Sequence, residues 1–181
     1  MKNINITVRS GLASLFAIMG LLLGSEALAL PGVTFGVMGG GNLTLPSIQS
    51  TGVTVSGAID FSVGPTMSLG PVEGAVLYSR YSLKTVGNGF EVTSASKHLE
   101  IPVLYRFGLD LVSLGVGGFY AICIDDGNYV VGDLYGALAS IRTKIPGTSI
   151  FVDGRFNLGL SSTTGGGKLS SLAFLVGYDF F

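Results

Sequence analysis

The chain has 181 residues, of which 12% are charged, with a net charge of −1 and a mean hydropathy of +0.61. A soluble domain carries about 25% charged residues, so this chain lacks the material for an ordinary water-exposed surface. The near-zero net charge gives no basic field for nucleic acid, and the single cysteine, Cys123, excludes an internal disulfide.

The first segment reads as a cleaved signal peptide over residues 1–29. Lys2 and Arg9 make a positive start, Gly11 to Gly24 is an uncharged apolar core, and Ala27-Leu28-Ala29 supplies the small-x-small cleavage pattern. That apolar run is shorter than the roughly 20 residues of a spanning helix. Cleavage near Ala29 leaves one domain, residues 30–181, in which no apolar run resembles a membrane helix. Its glycines, set among alternating Val, Leu and Tyr, suit a curved sheet better than helices.

Eight strands follow in chain order. Side chains of a strand alternate faces, so each segment divides into two rows. Strand one, Val33 to Leu45, sets Val33, Phe35, Val37, Leu43 and Leu45 against Thr34, Met38, Asn42 and Thr44. Strand two, Val53 to Val63, sets Val53, Val55, Ile59, Phe61 and Val63 against Thr54, Ser56, Ala58, Asp60 and Ser62. Strand three, Val72 to Thr85, places Val72, Val76 and Tyr78 outside and Glu73, Leu77 and Ser79 inside. Strand four ends with Leu99, Ile101, Val103, Tyr105 and Phe107 outside, and with His98, Glu100, Pro102 and Arg106 inside.

Strand five, Leu111 to Ile124, turns Val112, Leu114, Val116, Tyr120 and Ile122 outward, with Ser113, Gly115, Gly117, Phe119 and Cys123 inward. Strand six, Gly132 to Ile145, has two mixed rows, and its facing stays open. Strand seven, Ser149 to Ser161, points Ile150, Val152, Phe156, Leu158 and Leu160 out and Asp153, Arg155 and Asn157 in. The last strand, Leu169 to Phe181, has a greasy row, Leu172, Phe174, Val176, Tyr178 and Phe180, opposite a smaller, more polar one that includes Asp179. These are the dyad repeats of about ten residues that a tilted membrane strand needs.

The links alternate in length. Those after strands one, three, five and seven read as long and polar, for example Val86 to Ser96 and Ser161 to Lys168; Gly108 to Asp110 and Pro146 to Thr148 read as tight, and Gly64 to Pro71 as intermediate. Short turns at one end and longer loops at the other mark an outer-membrane barrel. In hydrocarbon every backbone N–H and C=O needs a protein partner, so such a sheet must close. The fold expected is therefore all-β: an eight-stranded antiparallel up-and-down transmembrane β-barrel.

The rows opposite the greasy ones carry Asp60, Glu73, His98, Glu100, Arg106, Asp153, Arg155 and Asp179. In an eight-stranded barrel the interior holds little more than side chains, so these eight are expected to form a paired polar network filling the lumen. Tyr78, Tyr105, Tyr120, Tyr178 and Phe180 are expected as aromatic anchors at the membrane interfaces.

The runs Leu99 to Phe107 (LEIPVLYRF), Leu114 to Tyr120 (LGVGGFY), Val152 to Ser161 (VDGRFNLGLS) and Gly177 to Phe180 (GYDF) resemble the PorT-type outer-membrane β-barrel family, and more loosely the small OmpA/OmpX type. The resemblance implies a bacterial outer-membrane barrel without a defined enzymatic role. Such chains end on the outward aromatic itself, whereas Phe181 here follows Phe180.

No chemistry stands out. His98, Glu100 and Arg106 share one face and admit an acid–base set, but a lumen ion network accounts for them more simply. One His and one Cys make no metal site, and the glycine triplets at 39–41 and 165–167 lack the frame of a phosphate loop. Asp125-Asp126 reads as a solvated turn. We expect no enzyme, no cofactor and no metal. The expected function is a structural and surface-interaction protein with a plugged lumen and exposed outer loops. The rival is a narrow porin or a conduit for small molecules. A barrel hydrolase or acyltransferase lacks a triad, and a soluble lipid carrier would keep its apolar face inside. Expected partners are outer-membrane lipid and lipopolysaccharide, the barrel-insertion machinery and periplasmic chaperones, and a surface ligand for the outer loops. No nucleic-acid partner is expected.

Overall fold

The computed structural model describes residues 32–47, 53–87, 89–109, 111–124, 132–161 and 167–180. The segment read as a signal peptide and the Asp125-Asp126 pair lie outside them. The described residues belong to one compact unit, Gly32–Phe181. It is built from ten strands: β1 (Val33–Ser47), β2 (Val53–Gly57), β3 (Ile59–Leu69), β4 (Val72–Ala75), β5 (Leu77–Gly87), β6 (Phe90–Leu109), β7 (Val112–Cys123), β8 (Leu134–Lys144), β9 (Ile150–Gly159) and β10 (Lys168–Asp179).

All pairings are antiparallel, and β1 pairs with both β10 and β3. The sheet has no beginning: its edges join into a ring. β2 with β3 makes one stave, and β4 with β5 another, so the ten strands form eight staves, each beside its neighbours in the chain. Closure gives every stave a backbone partner on both sides, the condition that lone sheet edges fail.

The break between β4 and β5 has a cause in the neighbouring staves. The register continues from Thr66↔Ala75 to set Pro65 opposite Val76, and from Gly74↔Val103 to set Pro102 opposite Ala75. Neither proline has an N–H to give. Val76 N still donates to Pro65 O at 3.0 Å, so the stave continues through the gap. Gly64 sits beside it, where a Cβ would come within 2.0 Å of the Val76 carbonyl oxygen; only glycine permits that approach.

The break between β2 and β3 is a bulge. From Gly57 to Ser62 is five steps, while their partners Leu83 and Ser79 are four apart. One extra residue on one strand reverses the parity beyond it. The outward place expected for Val55 is thereby corrected: it packs against the interior cluster with Tyr81 and Leu83, while Thr54 is exposed. Ile59, Phe61 and Val63, past the bulge, face out as expected.

Two links differ from expectation. Gly64 to Leu69 belongs to β3, and the chain reverses at Gly70-Pro71, with Gly70 at a φ of +55°. Val86 to Ser96 is not a loop but the tip of a β5–β6 hairpin: Gly87 pairs with Phe90. The dipeptide between them is Asn88-Gly89, the strongest short hairpin signal, and Gly89 takes a φ of +81°. Tight connections therefore gather at the end of the ring where β1 starts. The strand ends Ser47 and Val53, Cys123 and Leu134, and Gly159 and Lys168 lie at the other end, the end of this hairpin.

The facing of β8 is also decided. Leu134, Leu138, Ser140 and Arg142 are buried; Tyr135, Ala139 and Ile141 are exposed. The inner row is apolar toward the hairpin end and polar toward the tight-turn end, which is why alternation alone left it unreadable.

Candidate functional site: the filled interior of the ring

The ring is polar at its centre and apolar outside. Exposed large hydrophobic residues run round the staves, among them Val63, Val103, Val116, Ile141, Val152, Phe174 and Val176. Inside, Glu73, His98, Glu100, Arg142, Asp153 and Arg155 are all buried. A water-soluble protein has the opposite arrangement.

The tight-turn half holds one ion cluster. Inward rows of β4, β6, β8 and β9 bring Glu73, Arg106, Arg142, Asp153 and Arg155 together. Arg106 Nε and Nη2 donate to the two oxygens of Glu73 at 2.8 and 3.1 Å, and Nη2 also reaches Asp153 Oδ2 at 2.7 Å. Arg142 pairs with Glu73 at 2.7 Å and with Asp153 at 3.0 Å. Arg155 Nη2 bridges the same two carboxylates at 3.0 Å each. Ser140 Oγ donates to Asp153 Oδ1 at 2.6 Å and accepts from Arg106 Nη1 at 3.1 Å. Three guanidiniums thus share two carboxylates. Removing charges from water is costly, and fork-shaped, multiply bonded pairing of this kind is what compensates it.

Packed beside the cluster is an apolar group of Met38, Ala75, Leu77, Phe151, Ala173 and Leu175, which runs from Phe151 at the tight-turn end of β9 to Leu77, the cross-strand partner of Glu100. Next comes a second polar group around Glu100, which accepts from Tyr81 Oη at 2.6 Å, Ser79 Oγ at 3.0 Å and Asn157 Nδ2 at 3.1 Å. A small polar cavity adjoins it, lined by Asn42, Tyr81, Glu100, Arg155, Asn157 and Ser171 among others. Three of these residues carry a buried atom with no protein partner: Asn42 Oδ1, Asn157 Oδ1 and Arg155 Nη1. A site this size and polarity suits about one water molecule. Toward the hairpin end, Leu83, Phe119, Ala121, Leu134, Leu138 and Leu169 fill the interior.

The eight residues expected as one network are therefore divided. Glu73, Arg106, Asp153 and Arg155 meet in the cluster, and Glu100 centres a separate group. His98 contacts Gly132 O at 3.1 Å through Nε2 and lies edge-on to the Tyr81 ring. Asp60 sits in the bulge, held by Ser82 Oγ at 3.0 Å and Arg80 Nε at 3.4 Å. Asp179 pairs with Lys144 at 3.1 Å at the tight-turn rim. His98, Glu100 and Arg106 line one strand without forming an acid–base set.

Sequence reading missed Arg142, because β8 had no legible face, and Tyr81, because strand three was irregular there. A usable signal existed for Arg142: it shares one row with Lys144, so the two cations of β8 mark the same face.

The expected aromatic anchors lie on the outer surface. Tyr105 stacks with Phe107, and Tyr178 with Phe180, toward the tight-turn end. Tyr78 stacks with Phe61, and Tyr120 lies directly opposite Tyr135, toward the other end. Tyr120 Oη donates to Asp133 at 3.0 Å.

No family model matches this chain, and no curated protein does. The likeness to the PorT-type and OmpA/OmpX groups thus has no support beyond the residues that suggest it. Among solved structures, the chain is similar to the translocator domain of autotransporter NalP from Neisseria meningitidis, at 12% identity over 94% of this chain and 98% of that chain, with a TM-score of 0.32. A likeness that slight carries no weight for function.

Proposed function

We propose that the chain is a bacterial outer-membrane β-barrel protein: an eight-stranded, up-and-down transmembrane barrel with a structural and surface-interaction role. The observation that carries this reading is the inversion of polarity across a closed ring. Salt-bridged groups fill the centre, and apolar side chains cover the outside between two sets of aromatics. Only a hydrocarbon surrounding makes that arrangement favourable. The segment 1–29 acts as its cleaved signal peptide. Lipid and lipopolysaccharide surround it, insertion machinery and periplasmic chaperones deliver it, and segments at the long-link end meet a surface ligand.

The interior is a plug and has no catalytic role. The ion cluster, the polar group around Glu100 and two apolar clusters fill the lumen with side chains. Fractionation and conductance test the reading. The chain, expressed in a Gram-negative host, should lose residues 1–29 by intact mass and partition with outer membranes. It should run faster on gels when unheated. In planar bilayers it should show no sustained wide-pore current. Such a current in the unaltered protein would favour the porin or conduit reading instead. A soluble periplasmic product would sink both.

A further inference from the structure

The hydrogen bonds of the interior leave a specific remainder beside Glu100. Asn42 Oδ1, Asn157 Oδ1 and Arg155 Nη1 are buried without a partner among the described residues, and all three residues line the same small cavity. What else they bind fixes their orientation. Asn42 Nδ2 donates to the Arg80 carbonyl oxygen at 3.2 Å, and Asn157 Nδ2 to a Glu100 carboxylate oxygen at 3.1 Å. A carbonyl and a carboxylate only accept, so neither amide can be turned round. Two acceptors and one donor therefore remain, and buried groups of this kind are costly to leave unpaired.

The register explains why there is room between them. Asn42 pairs across the sheet with Ala173, and Ala173 with Arg155, so the three form one inward row over adjacent staves. The middle side chain ends at its Cβ and leaves a hollow between its neighbours. Asn157 is the next inward residue along β9 from Arg155, and its own partner, Ser171, is also small.

Charge decides what fits the hollow. Three guanidiniums stand against Glu73 and Asp153, and Glu100 lines the cavity from the other polar group. A cation there would meet Arg155, and an anion would meet Glu100. A neutral molecule that accepts once and donates twice meets neither objection, and a cavity of this size holds about one water.

We propose that one water molecule binds over Ala173, accepting from Arg155 Nη1 and donating to Asn42 Oδ1 and Asn157 Oδ1. It joins the two polar groups of the lumen: Arg155 belongs to the ion cluster, and Asn157 holds Glu100. Cluster, water and Glu100 then form one hydrogen-bonded network along the interior, with Glu100 as the counter-charge to the third arginine. The site rests on the filled interior alone and not on what surrounds the ring.

Two measurements on the mature chain refolded in detergent test the site. The first is a crystal structure of the unaltered protein, with and without a bromide soak. A single density peak within hydrogen-bond distance of all three atoms, giving no bromide signal, is expected. No peak, or a bromide peak there, overturns the proposal. In Ala173→Val the added methyl groups should displace the peak; a peak unmoved in that variant would mean that the hollow over Ala173 is not its site. The second is a double-mutant cycle by equilibrium unfolding, with Asn42→Ala, Asn157→Ala and both together. The two side chains have no bond to each other, so only a shared molecule couples them directly. The double variant should fall short of the product of the two single effects on the unfolding equilibrium by at least about fivefold, well beyond the deviation of independent sites. Simple additivity overturns the bridge, and this readout stands even where Ala173→Val fails to fold.

Discussion

The ring of Phe151 lies against the backbone of Gly177, its cross-strand partner, so closely that a Cβ on Gly177 would come within 2.1 Å of Phe151 Cζ. The guanidinium carbon of Arg142 stands 3.8 Å from the centre of the same aromatic ring. Phe151 is fully buried. Glycine makes room for the ring, and the ring positions one of the three arginines of the ion cluster.

Gly177→Ala should therefore displace Phe151 and disturb Arg142. Overpacking of this kind costs about 1–3 kcal/mol. The denaturant midpoint of the refolded protein, read by gel mobility, should fall. Gly154→Ala is the control, since a Cβ there meets nothing closer than 3.5 Å. Equal midpoints for the two variants would mean that the Phe151 contact constrains nothing.

The charge count of the cluster makes its members unequal. Three cations share Glu73 and Asp153. Arg142→Met leaves two of each sign and a matched volume. Glu73→Gln leaves three cations facing one anion in a buried site. Breaking a buried pair from one side costs about 3–5 kcal/mol, and Glu73→Gln should reach that range while Arg142→Met stays below it. The comparison is made by equilibrium unfolding in detergent; the reverse order would refute shared pairing.

The same cluster is the proposed plug of the lumen at its tight-turn half. Arg106→Ala and Arg155→Ala each remove a side chain that spans the interior between staves. Both should lower the unfolding midpoint and raise the frequency of small ion leaks in planar bilayers. Unchanged stability and unchanged current in both variants would argue that the cluster is not the plug.

The bulge predicts which face tolerates charge. Val103 is 52% exposed on the greasy row, and Val55 packs inward. In the proposed membrane barrel, Val103→Arg places a cation in hydrocarbon at roughly 2–4 kcal/mol and should impair insertion into vesicles. Thr54→Arg, exposed near the long-link end, should insert normally. Val55→Ala should insert normally but lose stability through lost packing beside Tyr81 and Leu83. Failure of Thr54→Arg alongside normal insertion of Val103→Arg would invert the assigned faces.

Alternation by itself determined most of the ring. A strand's side chains repeat every second residue, so Ile101, Val103 and Tyr105 were bound to share a face opposite Glu100 and Arg106. The same reasoning held for β7, β9 and β10, whose rows are uninterrupted. The hairpin tip was legible too, in Asn88-Gly89, but a polar composition obscured it.

Three things waited for the tertiary structure. The bulge moves Val55 across the sheet, and a one-residue register change leaves no mark in a short apolar run. The face of β8 depends on what fills the lumen at each height: leucines pack against Phe119 and Ala121 at one end, and Arg142 meets Glu73 at the other. The grouping of the charges depends on the register between staves. Glu73 and Arg155 are 82 residues apart in sequence, and only ring closure brings them within 3.0 Å. A row pattern states which side of a strand a charge occupies. The height at which it meets its partner is fixed by pairing across the sheet, a property no single strand contains.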